Sequence, residues 1–186
     1  MIFGFILYFI LIAVLIALGV TIVLTAWFDA PFVPSGNRAI KNIFDAVGIR
    51  PGEVFCDLGS GDGRVVREAA RRGARAVGIE RSIALVFWSR WVAWFDALRE
   101  RSRGQHAGSK AIFIRGNYFK KDLSDADTVF CYLLPEAMEK LKEKFARELK
   151  PGTRVVSRAF KLHDWTPVSR FQFAPRTMPV YLYIKA

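Results

Sequence analysis

The sequence predicts an α/β protein: a seven-stranded sheet with helices on both faces, preceded by one N-terminal apolar helix. Three observations carry this. Short β-rich runs alternate with helical segments from residue 38 onward, a glycine-rich turn follows the first of those runs, and residues 2–28 contain no charged side chain. Alternation of strand and helix is what a parallel sheet requires, because each crossover between parallel strands needs about a helix's length of chain.

The 186 residues suit one domain of ordinary size plus an appendage. A 52% apolar content is high for a purely soluble enzyme, and the excess lies at the N-terminus. A helix over residues 2–28 would reach about 40 Å at ~1.5 Å per residue, more than the ~30 Å hydrocarbon core of a bilayer. Residues 1–28 are therefore expected to form a transmembrane anchor. The alternatives are a cleaved signal peptide and a buried core helix. A signal peptide would start with basic residues and end at small ones, whereas the first cation here is Arg38 and Ala26-Trp-Phe-Asp29 is a poor cleavage site. All 28 Lys and Arg follow the apolar run, so the positive-inside rule expects a single-pass membrane protein with its C-terminal domain cytoplasmic. Trp27 and Phe28 then fall at the interface. Residues 29–37, with two prolines, a glycine and a serine, read as a linker, and 38–186 as the domain.

Within the domain, Ser35 or Asn37 can cap a helix over 39–47, whose Ile40, Ile43, Phe44 and Val47 share one face. The first strand runs into Asp57-Leu-Gly-Ser-Gly-Asp-Gly63-Arg64, an acid, three alternating glycines and a helix start. Gly59, Gly61 and Gly63 permit positive φ and close approach of a ligand, and N–H groups at the helix start can face an anion. The spacing is not that of the dinucleotide fingerprint, and no Lys-Ser/Thr pair follows as in a P-loop. For the glycines alone, a purely structural turn is the alternative. The second strand, 74–79, ends in Glu80, where an acid meets ribose hydroxyls in doubly wound nucleotide-binding sheets.

The next helix, 82–101, places Leu85, Trp88, Val92, Phe95 and Leu98 on one face, with Trp91 and Trp94 widening it. That stripe is expected in the core or against the membrane side. A basic loop with His106 follows, then a strand over 111–115 and Gly116-Asn-Tyr-Phe119 at the carboxyl edge. Residues 127–131 form the fourth strand. Tyr132-Leu-Leu-Pro135 caps it, and Pro135 and Glu136 open a helix with the proline and acid that helix N-termini favour. Strands over 153–157, 171–173 and 180–184 complete the sheet. Cys56 and Cys131 lack any CxxC spacing and read as buried thiols, and with two histidines in all no metal site is expected.

These motifs together resemble the class I, seven-strand S-adenosylmethionine-dependent methyltransferases, whose fold is Rossmann-like. Asp57 to Gly63 resembles their first motif and Val77-Gly-Ile-Glu80 their second. The resemblance implies S-adenosyl-L-methionine as cofactor, its methionine portion held by Asp57, Gly59, Ser60, Gly61, Asp62 and Gly63, its ribose by Glu80. Asn117 stands where the family commonly has an Asp that reads the adenine. Asp57 and Asp62 would put negative charge near the cofactor's ammonium and sulfonium. Pro31-Phe-Val-Pro34, the helix after it and the glycine turn resemble a narrower group: membrane-anchored protein-lysine methyltransferases that act on the ATP synthase c-subunit and the adenine nucleotide translocase. That resemblance implies a lysine of an integral membrane protein as substrate and the bilayer as partner.

Methyl transfer from a sulfonium is an in-line displacement, so the enzyme must hold a neutral nucleophile against the methyl group in a dry site. A lysine amine, with a reference pKa of ~10.4, loses its proton more readily when buried beside a sulfonium, and no strong base is then needed. The acceptor is expected at the end of the fourth strand, near Tyr132, Pro135 and Glu136, with Phe119, Tyr132 and Trp165 as channel walls. Tyr132 read structurally is a half-buried strand-end residue, and Glu136 a helix-terminus acid. The +11 net charge also admits a nucleic-acid methyltransferase. Against it, Tyr132-Leu-Leu-Pro135 is not the Asn/Asp-Pro-Pro-Tyr/Phe motif, and Cys131 lacks the neighbouring proline of a cytosine C5 nucleophile. Basic charge also serves an anionic leaflet, at ~1 kcal/mol per residue near its surface. Methylation of a lipid or quinone headgroup stays open, and so does a noncatalytic cofactor-binding module.

Overall fold

The structure, a computed structural model, describes residues 2–28, 36–102, 111–175 and 177–186, with side chains in the first helix from Gly4 to Gly19. The expected linker up to residue 35, the loop with His106, and the Trp27 and Phe28 side chains lie outside the described residues. The chain divides into two compact units, Met1–Val33 and Pro34–Ala186.

The first unit is α1, Ile2–Phe28. Its described side chains are exposed apart from the half-buried Ile12. Among the described residues no helix is long and apolar enough to cross a membrane. The transmembrane helix expected over 1–28 is therefore not supported by the described residues.

The second unit begins with α2 (Asn37–Val47) and continues β1 (Val54–Leu58), α3 (Arg64–Arg71), β2 (Arg75–Glu80), α4 (Ile83–Ser102), β3 (Ile112–Arg115), β4 (Thr128–Cys131), α5 (Pro135–Glu148), β5 (Arg154–Arg158), β6 (Ser169–Phe171) and β7 (Val180–Ile184). The seven strands lie in the order β3-β2-β1-β4-β5-β7-β6. The first five run parallel, and β7 is antiparallel to both β5 and β6. Strand order reverses between β1 and β4, and the crevice outside the carboxyl ends there is where open α/β sheets bind ligands.

Helices cover both faces because the parallel strands are apolar on both. On one face Ile40, Phe44, Val66 and Phe55 are buried together, with the Phe44 and Phe55 rings edge to face at 5.2 Å. On the other, Leu58, Val129, Met138, Leu141 and Phe145 form a second layer under α5. Full burial of each such side chain contributes about 1.5–3 kcal/mol.

Two expectations are corrected, and one left open is narrowed. The N-cap of α2 is Gly36, and Asn37 is already helical. β6 is Ser169–Phe171 rather than 171–173, because it is Ser169 to Phe171 that find partners in β7. Of the two places open to the α4 stripe, the core is not the one most of it takes, since the inward face lies about a third of a turn away at 3.6 residues per turn. Val86 and Ser89 are buried, whereas Trp88, Phe95 and Leu98 are exposed. Only small side chains fit: the Ser89 Cβ lies 3.0 Å from where a Cβ on Gly63 would stand.

A groove of about 490 Å³ opens at the opposite, amino-terminal edge of the sheet, lined by Arg50, Glu53, Asp127, Lys150 and Arg154 among others. Its acids are already paired, Glu53 with Arg154 and Asp127 with Lys150.

Candidate active site

The carboxyl edge gathers most of the residues that the sequence singles out. Leu58 leads into the turn with positive φ at Gly59, Gly61 and Gly63. Gly63 admits no side chain, since a Cβ there would stand 2.4 Å from the Phe113 ring. The N–H groups of Gly59, Ser60, Gly61 and Gly63 are occupied. Those of Gly59 and Ser60 donate to the Ile79 carbonyl, and that of Gly63 to Ser60. The N–H of Gly61 donates to Glu80 Oε2 at 2.9 Å. The glycines thus supply left-handed backbone, and the N–H groups expected to face an anion are a separate set at the start of α3, of which that of Arg64 donates to Asp62 at 3.2 Å. From α4, Ser89 Oγ donates to the Gly61 carbonyl at 3.0 Å and fixes the crest of the turn.

Glu80 is not the exposed strand-end acid that its position suggests. It is buried, and its other oxygen accepts the N–H of Ser82 at 2.9 Å, so one carboxylate ties the glycine turn to the start of α4. Asp62 is bound to Arg64, whose guanidinium donates to it at 2.6 Å. Asp57 is different. It is buried at the end of β1, and desolvation, then Glu80 and Asp62, hold its carboxyl well above the usual range. Both charges acting on it are negative, an environment that a cationic ligand would relieve.

The Gly116 N–H donates to the Glu80 carbonyl at 2.8 Å, which places Asn117 beside the same edge. Asn117 Oδ1 already accepts the Phe119 N–H at 3.0 Å, capping the single 3₁₀ turn Tyr118–Lys120. Its amide N–H₂ is the more available group for an adenine. On the other side of the turn, Leu58 pairs with Cys131, and a Cβ on Gly59 would stand 3.0 Å from Leu133. The Tyr132–Pro135 segment therefore flanks the glycine crest. Glu136 is exposed on the first turn of α5, with Pro135 at its start.

The expected channel walls are not brought together. Tyr132 packs with the α2 and α3 layer, while Phe119 and Trp165 pack with the layer beneath α5. Trp165 lies against Phe145 and Tyr183. What stands over Tyr132 instead is Arg158, its guanidinium carbon 5.0 Å from the ring centre. Its Nη1 is buried without a hydrogen-bond partner among the described residues, and burial lowers its pKa. Sequence reasoning missed Arg158, although the end of β5, next to β4, was a place to look. Cys56 and Cys131 are free and buried, the first pushed up to about 11, so neither supplies a thiolate near neutral pH.

A family model described as the ANTKMT methyltransferase domain matches residues 57–169, from the buried acid of β1 through the glycine turn and past β5. The chain belongs to that family. It is an S-adenosylmethionine-dependent methyltransferase. A protein-lysine N-methyltransferase of Saccharolobus islandicus (strain REY15A) is 32% identical over 158 residues, 83% of this chain and 92% of that protein. The lysine N-methyltransferase of the ATP synthase c-subunit from Homo sapiens is 37% identical over 137 residues, 74% of this chain but 54% of its own length. The chain thus spans about half of that human relative. A solved structure described as an RNA methyltransferase from Salinibacter ruber, in complex with S-adenosyl-L-homocysteine, superposes with a TM-score of 0.72 at 33% identity. The match covers 82% of this chain and 93% of that one.

The cofactor suits the edge described. Asp57, buried with only like charges acting on it, stands on the strand that leads into the glycine turn, and the cofactor brings an ammonium and a sulfonium.

Proposed function

We propose that this methyltransferase acts on the ε-amino group of a lysine in an integral membrane protein, close to the cytoplasmic bilayer surface. The observation that supports a lysine acceptor is the similarity to a protein-lysine N-methyltransferase across 83% of the chain. A membrane acceptor is supported by the relative whose named target, the ATP synthase c-subunit, is a membrane protein, and by the apolar α1. In this reading residues 1–28 are a membrane anchor, 29–37 a linker and 38–186 the catalytic domain, cytoplasmic by the positive-inside rule.

Asp57, Gly59, Ser60, Gly61, Asp62 and Gly63 receive the methionine portion of the cofactor, Glu80 the ribose and Asn117 the adenine. The cofactor supplies the methyl group as an activated sulfonium substituent. Tyr132, Pro135 and Glu136 stand on the acceptor side. Arg158 over the Tyr132 ring adds positive charge near the entering amine, which favours its neutral, nucleophilic form. An RNA acceptor is the second reading, favoured by the Salinibacter structure and by the +11 charge.

Incubating the enzyme with labelled cofactor and separately supplied membranes, extracted lipid and total RNA tests the acceptor. Label is expected in protein lysines; label confined to RNA or lipid overturns the assignment. Deleting residues 1–28 should leave cofactor binding intact, since the glycine turn and sheet lie wholly downstream. Methylation of a bilayer-embedded acceptor should fall about tenfold or more as tethering is lost. An undiminished rate would mean that the segment does not recruit the enzyme.

Asp57 predicts a pH dependence. A carboxyl raised on folding takes up a proton, so its contribution to stability is present at low pH and lost as pH rises through the raised value. A cationic cofactor favours the ionised form. Below that raised value, binding should release a proton and affinity should climb with pH. Calorimetry in buffers of different ionisation heat measures the release, and Asp57→Asn should remove it. Identical heats in every buffer would place the cofactor's charge away from Asp57.

A further inference from the structure

Among the described residues, α4 presents an apolar face that the rest of its unit leaves exposed. Inward it offers Val86, Ser89 and the half-buried Ala93. Outward, Ile83, Phe87, Trp91, Trp94 and Leu98 follow the helical period along one stripe, with Phe87 74% and Ile83 65% exposed. Trp88 and Phe95 border it. The rings order one another along the helix, Trp91 lying 4.8 Å from Phe95 and Trp94 4.9 Å from the same ring.

The charges around the stripe are of one sign. On a period of 3.6 residues Arg101 falls along one border and Arg99 along the other, both exposed, while the guanidinium of Arg90, beside Arg101, donates to the Phe113 carbonyl at 2.7 Å. The helix's two acids sit away from it: Asp96 pairs with Arg67 at 3.2 Å and Glu100 is half-buried. A wide apolar face rich in tryptophan and bordered by arginines is the chemistry of a helix lying in a membrane interface. Large contiguous apolar patches on a soluble surface mark sites of association.

We propose that α4 is an interfacial docking helix that lays this face into the headgroup layer of an anionic phospholipid bilayer. Cations along both borders, with no acid between them, match a continuous negative plane. The chain's +11 charge draws it to the same surface. Ile83 is three residues beyond Glu80, and Ser89 holds Gly61, so seating α4 brings the carboxyl edge of the sheet towards the headgroups. The use of this docking rests on the membrane-acceptor reading above, whereas its support lies wholly in α4.

The test uses the full chain carrying Phe87→Cys, labelled with an environment-sensitive fluorophore while Cys56 and Cys131 stay buried, and Glu143→Cys on α5 as the aqueous control. Each is added to phosphatidylcholine vesicles with and without phosphatidylglycerol. Emission at position 87 is expected to shift to the blue, and to be quenched by brominated acyl chains, on the anionic vesicles, with position 143 unchanged. An aqueous signal at position 87 on vesicles that the chain has bound overturns the proposal. So does a label already protected before lipid is added, which would mean that protein covers the helix. Flotation separates the two readings: a chain that floats with vesicles while position 87 stays aqueous retains its anchor and loses the docking helix. A chain that floats with no vesicle loses both.

Discussion

Replacing Glu80 with alanine is expected to abolish S-adenosylmethionine binding and to destabilise the domain at the same time. The carboxylate accepts the buried N–H of Gly61 and that of Ser82, each at 2.9 Å, and alanine leaves both donors without it. An unsatisfied buried donor costs about 1–3 kcal/mol, which applies to Gly61, whereas the part-buried Ser82 N–H adds about 1 kcal/mol or less, so the loss is about 1–4 kcal/mol. At about 2–4 °C per kcal/mol for a domain of this size, the melting temperature should drop by about 2–16 °C. Glu80→Gln keeps one acceptor oxygen and turns an amide N–H₂ towards the other donor, so it should fall between. Calorimetry with the cofactor and a thermal melt read the two effects separately. Full affinity in the alanine variant would remove Glu80 from the ribose site; lost affinity with an unchanged melt would mean that the two hydrogen bonds carry no stability.

The second large effect is expected at Gly63. Its φ is +76°, and an added Cβ would stand 2.4 Å from Phe113 and 3.0 Å from Ser89. Left-handed backbone costs a residue with a side chain about 1–2 kcal/mol, and crowding a packed site about 1–3 more. Gly63→Ala should therefore lose about 2–5 kcal/mol. Its cofactor affinity should drop at least a hundredfold, because relief of the clash displaces the Ser89 that holds the crest of the turn. Gly152 is the control: its φ is +87°, yet a Cβ there meets nothing within 4 Å. Gly152→Ala should show only the backbone cost and bind cofactor normally. Equal losses at the two positions would show that crowding against Phe113 plays no part.

Much of this molecule was legible in its residues, and the reason differs from element to element. The strand, glycine turn and helix over 54–71 could be read because each step is local: β-branched and aromatic residues extend the chain, glycines turn it, and the next helix starts where they stop. The α2 face of Ile40, Ile43, Phe44 and Val47 was legible for the same reason, the spacing being its own evidence. α4 was not. It has apolar residues on nearly every side, so periodicity could not say which side turns inward; the close approach of Gly63 and Phe113 admits only Ser89 and its small neighbours, and that contact is non-local.

The sequence by itself determined the order of the elements, the glycine turn with its flanking acids, and membership in a methyltransferase family, since all three are written in short contiguous motifs. Only the tertiary structure decided what those acids do: Glu80 braces the turn, Asp62 is held by Arg64, and Asp57 is buried with only like charges acting on it. It also set Arg158 over Tyr132 and turned the tryptophans of α4 outward. These outcomes depend on which residues meet across the sheet, and a pairing between positions as distant in the chain as Tyr132 and Arg158 has no signature in either one's neighbours.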